Sequence, residues 1–423
     1  MTTLMLLARD LSMLYGPMDH FQSLVWCEKY TGCGNFTLIL PMTDAVFDAL
    51  GRAEYVAVSD RPGLGRIEKI RYTQNAGGGE VYGASPSVSR QKRGILTVSG
   101  RMAESILSDR VIARGTHAAG SLVSCVQRVV EANAGAQAGE RALPYFHVAS
   151  SAELTDEDGT AYAIDDFPGG QSLDVWVRKT LAEAGAAYRI LPDYDTGTLV
   201  FSVYRGLNRT QGQNVNNFAV FSTSFSSIGA LDYISDKSEY KNFAYIAGEG
   251  EGNDRVVVTL DLRQNPDDER RELFIDARDL SSNNGDTTLG AGAYRNLLLK
   301  RGRQRLLDHE HVFSLDGTAA DYSAVTPDCG QTDSSENGSP YPLNQLPPIG
   351  TVFPASMQAD VDYMLGDLCD ITSEALHMTW SERITEITYT YEGTRRLVDA
   401  RFGCAYPDLK EYVRRTADDA AQR

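Results

Sequence analysis

The sequence predicts an α+β chain, mainly β, in which two similar β-barrel modules flank an α+β insert. Three observations predict it. Short β-prone runs broken by Gly-rich or polar turns fill both ends of the chain. The middle switches to apolar residues at helical spacing. One eight-residue pattern occurs twice, once in each β region.

The first module takes residues 1–112. Residues 35–40 (NFTLIL) and 55–58 (YVAV) are β-prone runs, and residues 96–99 (LTVS) alternate apolar with polar. Residues 66–72 (RIEKIRY) carry their apolar residues three apart, which fits a strand only with a bulge or twist. A glycine-rich loop at 75–79 precedes the last strand, and a helix is expected over 102–108.

The insert takes residues 113–215. Leu122, Val123, Val126, Val129 and Val130 share one face of a helix ending near Asn133 to Gly135. Residues 134–160 are small and polar and read as surface loop. Ser172 is placed to cap a second helix, with Gly185 just past its end. Strands follow at 187–191 and 198–204.

The second module takes residues 216–405, with strands at 218–225, 240–247, 255–260 and 272–276. A Leu- and Arg-rich helix over 290–308 comes next, then a strand at 312–315, a long Ser/Asn/Pro-rich loop at 326–350 and a closing β segment over 363–401. Residues 406–423 are expected to be a C-terminal tail.

The repeat is the most informative feature. Arg66, Ile67, Ile70, Tyr72 and Thr73 match Arg383, Ile384, Ile387, Tyr389 and Thr390 at identical spacing. A Leu-Gly pair precedes each copy (Leu50-Gly51 and Leu365-Gly366), with Val56 and Ile371 each six residues past the Leu. Duplication has a consequence for symmetry. Three chains with two equivalent modules each present a ring of six similar units, which can mate with a true hexamer.

The chain carries 40 Lys+Arg against 57 Asp+Glu, a net charge of −17 over 423 residues. That balance argues against a protein that grips phosphates through clustered cations. It suits contact with a polyanion that must not stick. No apolar run approaches the ~20 residues of a membrane span. The N-terminal stretch lacks a basic leader and cleavage site, so a soluble chain made in the cytosol is expected. The six cysteines (Cys27, Cys33, Cys125, Cys329, Cys369, Cys404) show no CxxC spacing, and free thiols are expected.

Candidate chemical sites reduce to structural readings. Residues 248–252 (GEGEG) resemble a nucleotide loop, but a strand follows where a phosphate-binding helix is required, so a hairpin turn is expected. His309 and His311 stand at a helix end rather than on one strand face. The acids Asp156, Glu157, Asp158, Asp165 and Asp166 do not follow a calcium-loop spacing. The charged run 267–272 reads as an exposed turn. There is no G-x-S-x-G elbow. No catalytic, cofactor-binding or metal residue is assigned, and no cofactor is expected.

Several segments carry a family resemblance: 21–26 with Tyr30, Gly32 and 34–38; 96–101 leading to 106–110; 197–201 with 206–210; 242–252 with Arg255; 270–280; and the closing Leu365-Gly366-Asp367 with Arg383-Ile384. In this ordered set the chain resembles the siphophage baseplate-hub proteins, the family of the amino-terminal hub part of tail-associated lysins, related more distantly to the hub of contractile-tail phages. The resemblance implies tube-type β-barrels in a homotrimer that continues the tail tube from a hexameric distal tail protein and closes or narrows the channel for DNA ejection. It implies a structural protein of the virion tail tip, synthesised in the host cytoplasm and without stable membrane association. The implied neighbours are tail tip or fibre proteins, a tape measure protein in the lumen and passing DNA bound without sequence specificity. Many relatives continue into a peptidoglycan-cleaving or receptor-binding region, and this chain stops shortly after the second module, so lytic activity is not carried over. The competing readings are a tail-tip cell-wall hydrolase, which requires a Cys/His or zinc constellation, and a host-glycan-binding module.

Overall fold

The computed structural model describes residues 2–74, 94–156, 159–222, 228–263, 265–283, 288–309, 311–319, 359–393 and 395–403. The expected loops at 75–79 and 326–350, the tail at 406–423, Cys329 and Cys404 lie outside the described residues.

The first module runs β1 (Leu4–Leu7), β2 (Met13–Met18), β3 (Ser23–Lys29), β4 (Asn35–Pro41), α1 (Asp44–Leu50), β5 (Tyr55–Val58), β6 (Leu64–Arg66), β7 (Lys69–Thr73) and β8 (Ile95–Arg101). Its strands form two layers. One is a small sheet in the order β2-β1-β5-β6, and the other sets β3, β4, β8 and β7 side by side. Strict alternation builds the second layer: Phe36, Leu38 and Leu40 of β4 and Leu96 and Val98 of β8 are buried, while their neighbours turn outward. Residues 64–73 form the corner, since β6 pairs with β5 and β7 pairs with β8. The break falls at Ile67 and Glu68, where the three-residue apolar spacing requires one.

Where a helix is expected at 102–108, a 3-10 turn spans Ala103–Asp109 and leads into the insert. The insert contains β9 (Ala118–Ser121), α2 (Leu122–Asn133), β10 (Phe146–Val148), β11 (Ala163–Asp166), α3 (Leu173–Ala182), β12 (Ala187–Asp193) and β13 (Thr198–Tyr204). The predicted apolar face of α2 is buried and packs with Leu173, Trp176, Val177 and Leu181 of α3. Ser172 does occupy the N-cap of α3, although its side chain makes no capping bond. Residues 134–160 are not all loop, because β10 joins parallel to β13 and extends the β12–β13 hairpin to three strands.

The second module runs β14 (Val220–Ser222), β15 (Ile228–Asp236), β16 (Phe243–Ala247), β17 (Val257–Asp261), β18 (Glu272–Asp276), α4 (Ala291–Asp308), β19 (Val312–Ala319), β20 (Leu368–Ser373), β21 (Met378–Glu392) and β22 (Arg395–Gly403). The elements between β15 and β19 make a separate small unit. There α4 packs on a β17-β16-β18 sheet around Ile246, Leu260, Ile275, Tyr294 and Leu298.

The two modules are not independent bodies. Their strands run through one sheet in the order β15-β19-β22-β21-β3-β4-β8-β7, with β20 and β14 attached beside β21. One core serves both, from Trp26 and Phe36 to Ile387, Tyr389 and Phe402.

Candidate assembly interface

The repeated pattern marks the same corner twice. In the second module the residues before Ile384 pair with β20, and those after it pair with β22 and β3. A register shift between Ile384 and Glu386 stands where the first module breaks between β6 and β7. Stepping across the ladders from the repeat extends the match. Ile70 faces Val98, Val98 faces Leu38 and Leu38 faces Leu24. In the other half Ile387 faces Ala400, Ala400 faces Gly317 and Gly317 faces Leu231. The strands β3, β4, β8 and β7 therefore correspond, in that spatial order, to β15, β19, β22 and β21.

One part of the sequence match is corrected. Tyr55 pairs with Arg66 and Leu368 with Arg383, so Tyr55 corresponds to Leu368 and Val58 to Ile371. Val56 and Ile371 are two residues out of step. The Leu-Gly pairs differ as well: Gly51 follows α1 with φ −63°, whereas Gly366 has φ +93° and leaves no room for a side chain against the Tyr30 ring.

The two strand sets meet at an antiparallel seam between β21 and β3. Tyr389 lies opposite Trp26, Ile387 opposite Glu28 and Glu386 opposite Lys29. Lys29 Nζ is 3.1 Å from Glu386 Oε2 on one face of the seam. On the other face the buried Arg61 guanidinium sits 3.8 Å from the Tyr389 ring centroid and donates to the Asp360 carboxylate. Trp26 Nε1 donates to Glu28 Oε1 at 3.0 Å.

Burial pushes the Glu28 carboxyl up to about 7, with Arg61 and the Trp26 hydrogen bond opposing. The sign follows from linkage. Between the ordinary 4.5 and about 7, the unfolded chain releases a proton that the folded chain keeps, so stability falls as pH rises through that window. Glu28→Gln keeps an acceptor for Trp26 and removes the titration. Urea unfolding should show it gaining on the parent from about pH 5 to about pH 8. A difference that stays flat over that range would contradict this assignment.

At the two ends of the sheet the counterparts of the joined strands are open. Among the described residues, β7 and β15 terminate the strand order. Ile70 and Tyr72 are 41% and 44% exposed, whereas their counterparts Ile387 and Tyr389 are fully buried by the seam. Tyr233, the counterpart of Trp26, is 39% exposed and stacks on Trp380 with centroids 5.4 Å apart. Such edges invite pairing with another strand.

The face of the sheet turned away from the core is close to charge balance. Along seven of the eight strands in that order, β19 aside, it carries Lys29, Lys69, Arg71, Arg101, Arg395 and Arg401 against Asp232, Asp236, Glu386, Glu392 and Asp399. Thr37, Thr73, Thr97, Ser99, Thr388 and Thr390 stand among them. The net acidity of the chain is not concentrated on these strands.

The other candidate residues take structural places. Residues 248–252 turn the β16–β17 hairpin, and Glu249 accepts from Ser282 N at 3.1 Å. His309 caps the C-terminus of α4, and His311 Nε2 lies 2.9 Å from Ser235 Oγ. Asp156 Oδ1 accepts from Thr160 N at 2.8 Å. Asp165 pairs with His117 at 2.6 Å, while Asp166 accepts from Trp176 Nε1 at 2.8 Å and pairs with Lys300 at 3.0 Å. Glu157, Asp158 and Glu310 lie outside the described residues. Among the described residues no group of three or more His, Cys, Asp and Glu is placed to hold a metal. Cys27, Cys33, Cys125 and Cys369 are free thiols. A cavity of about 300 Å³, where the first module, the insert and Asp360 meet, is lined by Glu28, Glu104, Tyr188, Arg189, Tyr204 and Asp367. No helix among the described residues is long and apolar enough to cross a membrane.

The open edges are what residue-by-residue reading misses. The available signal is the repeat itself, which places the same apolar pair once in a buried seam and once at an exposed edge.

The sequence profile of the family described as Siphovirus ReqiPepy6 Gp37-like protein matches residues 3–404. No curated protein matches the chain. Among solved structures, the chain is similar to the tail protein from Neisseria meningitidis MC58, at 13% identity over 95% of both chains with a TM-score of 0.51. It is also similar to the 43 kDa tail protein of prophage MuSo2 from Shewanella oneidensis, at 12% identity over 95% of this chain and 98% of that one with a TM-score of 0.49. Prophage tail protein gp18 from Listeria monocytogenes EGD-e covers 98% of both chains at 9% identity, with a TM-score of 0.49. The first of these likenesses shows a shared fold along almost the whole chain.

Proposed function

The chain belongs to the Siphovirus ReqiPepy6 Gp37-like protein family, and from that premise we propose that it is a structural hub of a phage tail tip, working as a homotrimer and carrying no enzymatic site. The observation that carries the reading is the internal seam. Among the described residues, one chain joins two corresponding four-strand sets edge to edge and leaves the counterparts of the joined edges without a further strand. Repeated between three copies, that joint makes a ring with six similar units around it. Twenty-four strands about 4.8 Å apart give a circumference of roughly 115 Å, a backbone diameter of about 37 Å before strand tilt widens it.

A ring of this kind seats a threefold object on the hexameric distal tail protein and continues its tube toward the tip. The two core-packed layers lie outside and the balanced, hydroxyl-rich face lines the bore. That wall neither clusters cations that would hold DNA nor stacks one sign of charge against it. The remaining partners in this reading are tip or fibre proteins and a tape measure protein within the bore, in a virion assembled after synthesis in the host cytoplasm.

Native mass measurement of the purified full-length chain, alone and mixed with its hexameric tube partner, tests the reading. Three chains alone and three on six when mixed are expected. A chain that stays monomeric under both conditions would overturn it.

A further inference from the structure

The correspondence of the two strand sets gives a register for the edges that no other strand among the described residues covers. We infer that β7 of one copy pairs antiparallel with β15 of the next, and that this contact carries the ion pair of the internal seam with its charges exchanged. The inference rests on the trimeric reading above and adds to it a register and a rule for which edge meets which.

The register follows from the ladders. Since β21 corresponds to β7 and β3 to β15, each pair across the internal seam has a counterpart between copies. Tyr389 opposite Trp26 becomes Tyr72 opposite Tyr233. Thr388 opposite Cys27 becomes Arg71 opposite Ile234, and Ile387 opposite Glu28 becomes Ile70 opposite Ser235. Both pairs set one aromatic residue opposite another.

The charges do not keep theirs. Inside the chain, Glu386 of β21 faces Lys29 of β3 at 3.1 Å. In the same register between copies, Lys69 of β7 faces Asp236 of β15. Each seam is attractive by itself, but a mixed seam is not. Pairing β7 with β3 sets Lys69 against Lys29, and pairing β21 with β15 sets Glu386 against Asp236. Two edges of the same fold would otherwise be interchangeable, so a domain-swapped or slipped ring is the natural failure. Exchanged polarity makes internal and external seams alternate, a use of repulsion to exclude the wrong partner.

Cysteine cross-linking of the full-length chain tests the register. Directly opposed antiparallel residues have Cα atoms within disulfide reach, whereas neighbours two residues out of step do not. The pair Arg71→Cys with Ile234→Cys should give a reductant-sensitive covalent trimer on mild oxidation. The pair Arg71→Cys with Asp232→Cys and the parent chain should not. If native mass shows a trimer while the out-of-step pair cross-links, or neither pair does, the register is wrong and the trimeric reading survives. A monomer in every sample overturns both. The charge rule has its own readout. Lys69→Asp should raise the concentration for half-assembly roughly tenfold, and adding Asp236→Lys should restore it. A double variant no better than Lys69→Asp alone would remove the charge rule.

Discussion

Tyr389→Ala is expected to lower the unfolding free energy by about 3–5 kcal/mol, whereas the same change at its counterpart Tyr72 leaves the monomer within about 1 kcal/mol of the parent. The two tyrosines occupy corresponding places in the repeat and differ in what covers them. Tyr389 is fully buried at the internal seam, opposite Trp26 and beneath the Arg61 guanidinium. Removing its ring opens a cavity in the shared core and takes away the surface on which a buried cation rests. Tyr72 is 44% exposed, so its removal costs the isolated fold little. Its cost falls on assembly. Urea unfolding at a concentration that holds both variants monomeric, followed by native mass at higher concentration, separates the two effects. Equal losses of stability at both positions would contradict the assignment of one to an internal and the other to an external seam.

The second large effect is expected at Arg209, where the chain returns from the insert to the second module. Arg209 Nε donates to Asp367 Oδ2 at 2.6 Å, and the Asp367 side chain is only 2% exposed. The same carboxylate accepts from Leu207 N at 2.7 Å and Met364 N at 2.9 Å. It therefore ties the returning segment to the turn that carries Gly366. Arg209→Ala leaves this buried charge without its cation and should cost about 3–5 kcal/mol. Arg209→Met with Asp367→Asn removes both charges and should recover a good part of that loss, measured as a coupling energy in a double-mutant cycle. A double variant as unstable as Arg209→Ala would mean that packing rather than charge holds this joint.

How far the fold can be read from the sequence differs from element to element, for physical reasons. The helices α2 and α3 are legible because their apolar residues recur at helical spacing, and α4 because it is a run rich in Leu and Arg, both good helix formers. Strand β13 alternates cleanly beside a turn, and β12 and β13 are both found nearly at their true limits. By contrast, β2 contains Gly16 and Pro17, residues that argue against a strand unless it lies at an edge, which is where β2 lies. Helix α1 is a seven-residue element held by Thr43 Oγ1 accepting from Val46 N at 3.2 Å, too short for periodicity to register. Strand β15 contains Gly229, Asp232 and Asp236 and has one neighbouring strand among the described residues, so its pattern is weak within one chain.

The corner pattern is legible because both copies solve the same problem. Both copies place an arginine at the exit from one layer, an isoleucine at the break and an alternating apolar pair beyond it. Arg66 and Arg383 share the place but not the partners: Arg66 pairs with Asp109 at 2.8 Å, and Arg383 lies over the Tyr30 ring at 5.4 Å. The Leu-Gly pairs that seem to extend the repeat fail because their backbones do different things, a helix end in one case and a left-handed turn in the other. The assembly edges are legible only in comparison, as a repeat whose buried member shows what the exposed member lacks.

Electron cryomicroscopy of the assembled protein decides how the strand sets are joined, because it counts chains, strands and seams in one map. A closed threefold ring of twenty-four strands is expected, in which β21–β3 seams within chains alternate with β7–β15 seams between them. A ring with β7 or β15 left unpaired, or one built from six chains that each supply a single strand set, would contradict it.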